Sequence, residues 1–117
     1  MKDVFLDTDP GIDDAMALIY LASCPSVNIR AISTIMGNAS LDNCTANALF
    51  LKEKFRLTAP IHRGASLCIN GKEHHSFPDQ VHGKNGLGDV VPINTELCCE
   101  SHSAHSAMAN LALQSPS

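Results

Sequence analysis

The sequence predicts an α/β fold with an open, mostly parallel sheet and flanking helices. An apolar segment at residues 4–6 is followed by the turn Pro10-Gly11 and by an apolar, helix-length segment at residues 15–22. A second apolar segment at residues 28–36 completes a strand, helix, strand unit within about thirty residues. Such a unit requires parallel strands joined by a right-handed crossover.

The remaining elements continue this alternation. The first helix is apolar nearly all round, so we expect it to be largely buried, and Pro25 forbids its continuation. Ser40 is expected to cap a second, amphipathic helix that runs to about residue 54. A short strand at residues 57–63 and a final helix at residues 103–113 follow. The chain stops where the alternation calls for another strand. We therefore expect one domain, residues 1–117, forming the N-terminal portion of a Rossmann-like sheet that is incomplete at its C-terminus.

Composition excludes several classes of partner. The 117 residues carry a net charge of −4 at pH 7, with four Phe, one Tyr and no Trp, so no nucleic-acid partner is expected. No apolar segment approaches the length that crosses a bilayer, so no membrane partner is expected either. The five cysteines are odd in number and form no Cys-x-x-Cys pair, so we expect reduced thiols and a cytoplasmic protein.

Four carboxylates surround the first turn. Asp7 and Asp9 end the first strand and are expected to project the same way, while Asp13 and Asp14 lie in the first turn of the helix. Helix capping explains an isolated pair of aspartates. Four carboxylates within eight residues repel one another, which favours a cation between them. Oxygen ligands indicate calcium or magnesium rather than zinc.

Two further segments contain polar residues suited to a site. Asn38 follows the second strand, and the carboxyl ends of parallel strands meet at one edge of the sheet, so it is a candidate hydrogen-bonding residue beside the acids. Taken alone, Asn38 is more typical of an ordinary turn. His82 lies in the Gly-rich part of a long loop, residues 64–89, and suits proton transfer or base recognition. The pairs His74-His75 and His102, His105 lack further ligands and are expected to be solvated; the second pair would share a helix face.

The motifs together resemble the inosine-uridine-preferring nucleoside hydrolases. Gly37-Asn38 matches the Gly-Asn turn of that family, and Val81-His82-Gly83 with Gly86-Leu87 matches its His-Gly-x-x-Gly-Leu segment. Met16 departs mildly from the Val or Ile that is usual in the family. The family's first-strand signature is matched throughout by Asp7-Thr8-Asp9-Pro10-Gly11-Ile12-Asp13-Asp14-Ala15.

The resemblance implies hydrolysis of the N-glycosidic bond of a small-molecule ribonucleoside with a bound calcium ion. It implies that Asp9 and Asp14 are calcium ligands and that Asp9 is also the catalytic base that activates water. The resemblance also implies that Asp7 belongs to the metal site, where it would support the ligands. Carboxylates would stabilise the positive charge that develops on the ribose.

The resemblance also implies how substrate is held. Asp13 and Asn38 would bind the ribose hydroxyls. His82, counted with the catalytic residues, would lie over the base-binding side. These residues do not distinguish a purine nucleosidase from a pyrimidine nucleosidase.

The chain is shorter than the family's members, whose other calcium ligands and leaving-group acid come from later sequence. We expect a fragment, a truncated gene product or a degenerate copy, and an incomplete sheet that self-associates, so a homo-oligomer is also expected.

Two alternatives stay open at this point. A magnesium phosphatase of the haloacid-dehalogenase type also ends its first strand with Asp-x-Asp. That family does not continue with a pair of aspartates such as Asp13 and Asp14 of this chain. The second alternative is a non-catalytic remnant that binds a nucleoside or calcium without turnover.

Overall fold

The computed structural model describes residues 1–72, 77–88 and 98–114. The order of elements is that of an alternating α/β chain, as the sequence predicts. The strands are β1 (Lys2–Thr8), β2 (Val27–Thr34) and β3 (Ile61–Arg63). The helices are α1 (Ile12–Ser23), α2 (Leu41–Lys54), α3 (Asp79–His82) and α4 (Ala104–Gln114).

The three strands form one parallel sheet in the order β1-β2-β3. Thr8 is the register partner of Thr34, so β1 and β2 end side by side. Beyond β3, the N–H of Glu100 donates to the carbonyl of Ile61 at 2.7 Å, which adds a single parallel bridge at that edge. The carboxyl ends of β1 and β2 therefore open onto the same place.

The core lies between the sheet and the helices that cover it. Leu18 of α1, Ile32 of β2 and Ile61 of β3 are each almost fully buried. Leu51 of α2 and Leu87 of the Gly-rich loop join the same cluster. Burial of these side chains supplies most of the stabilisation of the sheet.

Helix α1 is not largely buried, and that prediction was wrong. Only Ala15 and Leu18 are buried, whereas Met16 and Tyr20 are 68% and 70% exposed. A helix with apolar residues on every side can pack only one of its sides against a single sheet, and no other element among the described residues covers the opposite side.

Two smaller expectations also need correction. The third strand is restricted to Ile61–Arg63, because the N–H of Leu57 still donates to the carbonyl of Lys52 in α2 and Pro60 has no N–H to donate. His102 precedes α4, so it does not share a helix face with His105. Both of these histidines are exposed, as expected, whereas His74 and His75 lie outside the described residues.

The Gly-rich loop contains a short helix that the sequence does not predict. Helix α3 is a single turn that ends at His82. Within the described ranges, no helix is long and apolar enough to cross a bilayer.

Candidate active site

The candidate site lies at the carboxyl ends of β1 and β2. The segment after β1 carries Asp9, and the segment after β2 carries Asn38. The backbone N–H of Asn38 donates to Asp9 Oδ2 at 2.9 Å, and Asn38 Nδ2 donates to the carbonyl of Asp9 at 2.9 Å. The Asn38 side chain therefore lies beside the acids, as predicted, and holds the chain that leaves β1.

Gly37 makes this approach possible. A Cβ atom at position 37 would fall well inside contact distance of Asp9 Oδ2. Gly11 has the same function on the other side of the turn, because a Cβ there would lie 2.5 Å from His82 Nδ1 and 2.6 Å from Asn38 Nδ2. Both glycines are required by close packing around Asn38.

Asp14 is the second carboxylate that Asn38 contacts. Asn38 Nδ2 donates to Asp14 Oδ2 at 3.0 Å, and the Thr8 hydroxyl donates to Asp14 Oδ1 at 2.9 Å. Asp14 Oδ2 also accepts the N–H of Gly11 at 3.4 Å, which satisfies a free donor at the start of α1. Burial raises the pKa of Asp14, and the nearby negative charge of Asp9 acts in the same direction.

Thr8 is a site residue that the sequence analysis missed. It is buried at the end of β1, and its hydroxyl orients Asp14. The available signal was its position between Asp7 and Asp9, where a small hydroxyl residue on the opposite face of the strand can reach the following helix.

His82 reaches the same turn from the Gly-rich loop. Its ring is buried, and Nδ1 accepts the N–H of Ile12 at 3.2 Å. A neutral ring that accepts at Nδ1 carries its proton on Nε2. Asp13 Oδ1 lies 3.8 Å from Nδ1, and the Asp13 side chain is 80% exposed.

Asp7 is held away from this hydrogen-bond network. Its carboxylate accepts the hydroxyl of Ser33, its register partner on β2. Strand alternation places Asp7 on the face opposite Thr8, whose hydroxyl contacts Asp14. The assignment of Asp7 to a metal site stays a prediction.

The carboxylates of Asp9 and Asp14 have the oxygen chemistry that a hard cation prefers. Asp9 Oδ2 accepts the backbone N–H of Asn38 and Asp14 Oδ2 accepts its side-chain amide, and Asp14 is partly buried beside the like charge of Asp9. Within residues 1–72, 77–88 and 98–114, no group of three or more His, Cys, Asp or Glu side chains is arranged to hold a metal ion. Asp9 and Asp14 alone are fewer than the six to eight oxygen ligands that calcium prefers.

Cys44 lies beside the candidate site but is not activated as a nucleophile. The five cysteines form no disulfide with one another, and Cys44 contacts a motif segment through Sγ and the carbonyl of Ala39 at 3.5 Å. Burial raises the pKa of Cys44 to about 11, so its thiol is neutral at physiological pH.

Comparison with known proteins identifies the family. A family model described as inosine-uridine preferring nucleoside hydrolase matches residues 4–117. The chain belongs to this family. Uridine nucleosidase 1 of Arabidopsis thaliana is 42% identical over 90 residues, which are 76% of this chain and 26% of that protein. Probable uridine nucleosidase 1 of Oryza sativa subsp. japonica is 36% identical over 115 residues, which are 97% of this chain and 35% of that protein.

Solved structures of nucleoside hydrolases share the fold. The plant nucleoside hydrolase PpNRh1 superposes with a TM-score of 0.92 at 33% identity, over 97% of this chain and 36% of that chain. The predicted Rossmann-like α/β fold and the resemblance to nucleoside hydrolases are thus confirmed. The chain spans about a third of the length of these relatives. The family match also favours a nucleoside hydrolase over a phosphatase of the haloacid-dehalogenase type.

Proposed function

We propose that this chain hydrolyses the N-glycosidic bond of ribonucleosides to free base and ribose, in nucleoside catabolism. The observation that carries the proposal is the side-chain amide of Asn38, which donates to the backbone carbonyl of Asp9 and to the carboxylate of Asp14. These groups lie at the carboxyl ends of two neighbouring strands. Ligands of open α/β sheets bind at this position. The relatives are named uridine nucleosidases and nucleoside hydrolases.

Asp9 is the proposed catalytic base. Its Oδ2 accepts the Asn38 N–H, which leaves Oδ1 to accept a proton from water. The water oxygen bonds to C1′ of the ribose while the bond from C1′ to the base nitrogen breaks, and the base leaves with the electron pair of that bond and takes up a proton from solvent water. Positive charge develops on the ribose during this step, and the carboxylates of Asp9 and Asp14 stabilise it.

Asn38 and Asp13 are the proposed ribose-binding residues. Both hydrogens of Asn38 Nδ2 are used by Asp9 and Asp14, so Oδ1 is the atom that would accept a ribose hydroxyl. The exposed carboxylate of Asp13 would accept a second hydroxyl.

His82 is the proposed contact to the base. Its Nδ1 accepts the Ile12 N–H, so Nε2–H is the donor left for an acceptor on the nucleobase. Uridine is the first substrate to test because curated relatives are named uridine nucleosidases; inosine tests the purine preference.

Calcium is the proposed cofactor, with Asp9 and Asp14 as ligands and Asp7 as a supporting residue. The support is the oxygen chemistry of the donors and the proximity of both carboxylates to Asn38. When bound, calcium supplies positive charge that orients the ribose hydroxyls and makes a neighbouring water more acidic.

A cytoplasmic location and a homo-oligomer complete the proposal. The absence of a disulfide among the five cysteines supports the first. The exposed apolar side of α1, which includes Met16 and Tyr20, supports the second.

Ribose release from uridine and inosine by the purified chain tests the proposal. We expect release with calcium, loss of release in excess chelator, and a decrease of about 10²- to 10⁴-fold in Asp9→Asn, because the base is removed. Asp3→Asn is the matched control. Asp3 lies at the opposite end of β1, exposed and bonded to Asn28 and Arg30, so its replacement should leave the rate unchanged.

The negative outcomes separate the alternatives. A folded chain that releases no ribose contradicts the proposed catalysis. Calorimetry with calcium, comparing wild type with Asp14→Asn, then tests the non-catalytic remnant, which requires calcium binding that Asp14→Asn weakens. Equal rates for Asp9→Asn and wild type would contradict the assignment of the base.

A further inference from the structure

Helix α2 contains one amide side chain that is buried as deeply as the core. Asn47 is 1% exposed, next to the apolar core residue Ala48 and one turn before Leu51. A buried amide is unfavourable unless its donors and acceptors are paired. The hydrogen bonds of the Asn47 side chain therefore explain the presence of an amide at this position.

The Asn47 amide joins two segments that are distant in sequence. Nδ2 donates to the carbonyl of Pro10 at 3.2 Å and to the carbonyl of Asn85 at 2.8 Å. A carbonyl oxygen only accepts, so the nitrogen of the amide must face both, and both of its hydrogens are used. Aspartate and leucine have similar volumes but cannot donate to either carbonyl.

The two carbonyls belong to the two halves of the candidate site. Pro10 is bonded directly to Asp9 in the turn that leads into α1. Asn85 lies in the loop that follows His82, and this loop is closed by the N–H of Gly88, which donates to the His82 carbonyl at 2.6 Å. Asn47 thus holds the turn at residues 9–11, which we call the carboxylate turn, against the loop that follows His82.

Gly86 brings the third motif segment to the same point. Its φ is +85°, and a Cβ there would lie 2.8 Å from Ala39 Cβ and 3.4 Å from Asn47 Nδ2. Ala39 follows Asn38 directly. The turns after β1 and β2 and the Gly-rich loop therefore all meet around the Asn47 amide.

We propose that Asn47 is a positioning residue that sets the distance between the carboxylate turn and His82. The expected effect of Asn47 on the rate of hydrolysis rests on the proposed function. The loop is anchored separately by the buried side chain of Leu87, so removal of the Asn47 donors should displace His82 without unfolding the loop.

The test compares Asn47→Leu and Asn47→Asp with Asn43→Leu. Asn43 lies one turn earlier on α2, and its backbone N–H, rather than its side chain, donates to Ser40 Oγ.

The first readout is hydrogen exchange of the Ile12 amide, which donates to His82 Nδ1, and of the Gly88 amide, which donates to the His82 carbonyl. The Ile32 amide, which donates to the carbonyl of Pro60 at 2.9 Å, is the internal reference. We expect Ile12 and Gly88 to exchange at least about tenfold faster in both Asn47 variants while Ile32 is unchanged.

The second readout is uridine hydrolysis per folded molecule. We expect kcat to fall by about 10²-fold in the Asn47 variants, since small displacements of positioned groups have effects of this size, and to be unchanged in Asn43→Leu. A residue that only stabilised the fold would lower the melting temperature and leave kcat per folded molecule unchanged, and that result would overturn the proposal.

The two readouts also separate this proposal from the proposed function. If wild type releases no ribose, accelerated exchange at Ile12 and Gly88 still supports positioning by Asn47, and unchanged exchange overturns it. Asn47→Ser, whose single short hydroxyl cannot reach both carbonyls, replaces any Asn47 variant that does not fold and is expected to give the same local acceleration.

Discussion

The carboxylate of Asp14 has an environment that opposes its own charge. Burial is the main reason for its raised pKa, and Asp9 and Asp13 add negative charge nearby. The hydrogen bonds from Thr8 and Gly11 act in the opposite direction and do not cancel the effect. Such an arrangement is typical of a site that binds a cation or a proton rather than of a simple helix cap.

This raised pKa predicts a pH-dependent stability. A carboxylate whose pKa in the folded state exceeds its ordinary value of 3.8 destabilises the fold at neutral pH, and the destabilisation shrinks as pH falls below the raised folded value and is gone below 3.8. We expect Asp14→Asn to have a higher free energy of unfolding than wild type at pH 7, with a difference that shrinks toward pH 4. Urea denaturation in excess chelator measures it.

Asp13→Asn is the control for this experiment. The Asp13 side chain is 80% exposed, so its replacement should change the free energy of unfolding by less than about 0.5 kcal/mol. A lower stability of Asp14→Asn than of wild type at pH 7 would contradict the expected sign.

Gly37 provides a second prediction at the level of a single residue. In Gly37→Ala the added methyl group would overlap Asp9 Oδ2, so either the carboxylate or the turn after β2 must move. We expect a loss of stability of about 1–3 kcal/mol and at least a tenfold loss of ribose release, measured by thermal denaturation and by initial rates.

Gly71→Ala distinguishes the overlap from general strain. Gly71 has a positive φ, of 78°, but a Cβ added there would meet no atom within 4 Å. Its replacement should cost about 1 kcal/mol of stability and leave the rate unchanged. Equal rates for Gly37→Ala and wild type would show that the Asp9 carboxylate can move freely.

Helix α2 shows how local sequence and local strain define an element. The predicted N-cap is confirmed: Ser40 Oγ accepts the N–H of Asn43 at 3.2 Å. The other end closes with Arg56 at a φ of +54°, while the N–H of Leu57 donates to the carbonyl of Lys52 at 2.9 Å. Glycine is the usual residue at this left-handed position after a helix.

The conformation of Arg56 predicts a stabilising substitution. Arg56→Gly removes the clash between Cβ and the following carbonyl and is expected to stabilise the fold by up to about 1 kcal/mol, measured by urea denaturation. Arg56→Ala retains the Cβ and should show no gain. A gain in Arg56→Ala equal to that in Arg56→Gly would instead assign the effect to the arginine side chain.

Helix α1 shows where a local pattern is insufficient. Its apolar residues predict burial on all sides, yet Ile12, Met16 and Tyr20, spaced four residues apart, form an exposed stripe along one side. Ala15 and Leu18 alone are buried against the sheet. The pattern records which residues are apolar, whereas burial depends on which other elements pack against them.

At the scale of the whole molecule, this stripe predicts self-association. We expect the wild-type chain to sediment as a concentration-dependent mixture and the double variant Met16→Gln, Tyr20→Gln to be predominantly monomeric, because exposed apolar patches drive association. Sedimentation velocity measures the difference, and the melting temperature should change little since both side chains are exposed.

Leu113→Gln is the matched control. Leu113 is 81% exposed on α4, so its replacement removes a similar apolar group from another part of the surface. The prediction is contradicted if wild type is monomeric at every concentration, or if Leu113→Gln reduces association as much as the double variant does.

The sequence predicted the alternation of strands and helices because each element depends on short-range chemistry. Pro25 ends α1, Ser40 begins α2, and alternating strands and helices imply parallel pairing. The same reasoning placed Asp9 and Asn38 at one edge of the sheet, since parallel strands end together. It missed α3, because a single helical turn has too few residues for a periodic pattern.

Sequence alone thus determined the fold class, the family resemblance and the segments that supply the candidate site. Only the tertiary structure decided that Asn38 contacts both Asp9 and Asp14, that Asp7 instead bonds to Ser33, and that His82 accepts the N–H of Ile12. It also decided which side of α1 is buried. The reason is physical: helix and strand formation depends on neighbouring residues. Contacts between residues 24 to 70 positions apart depend on strand register and on the packing of whole elements.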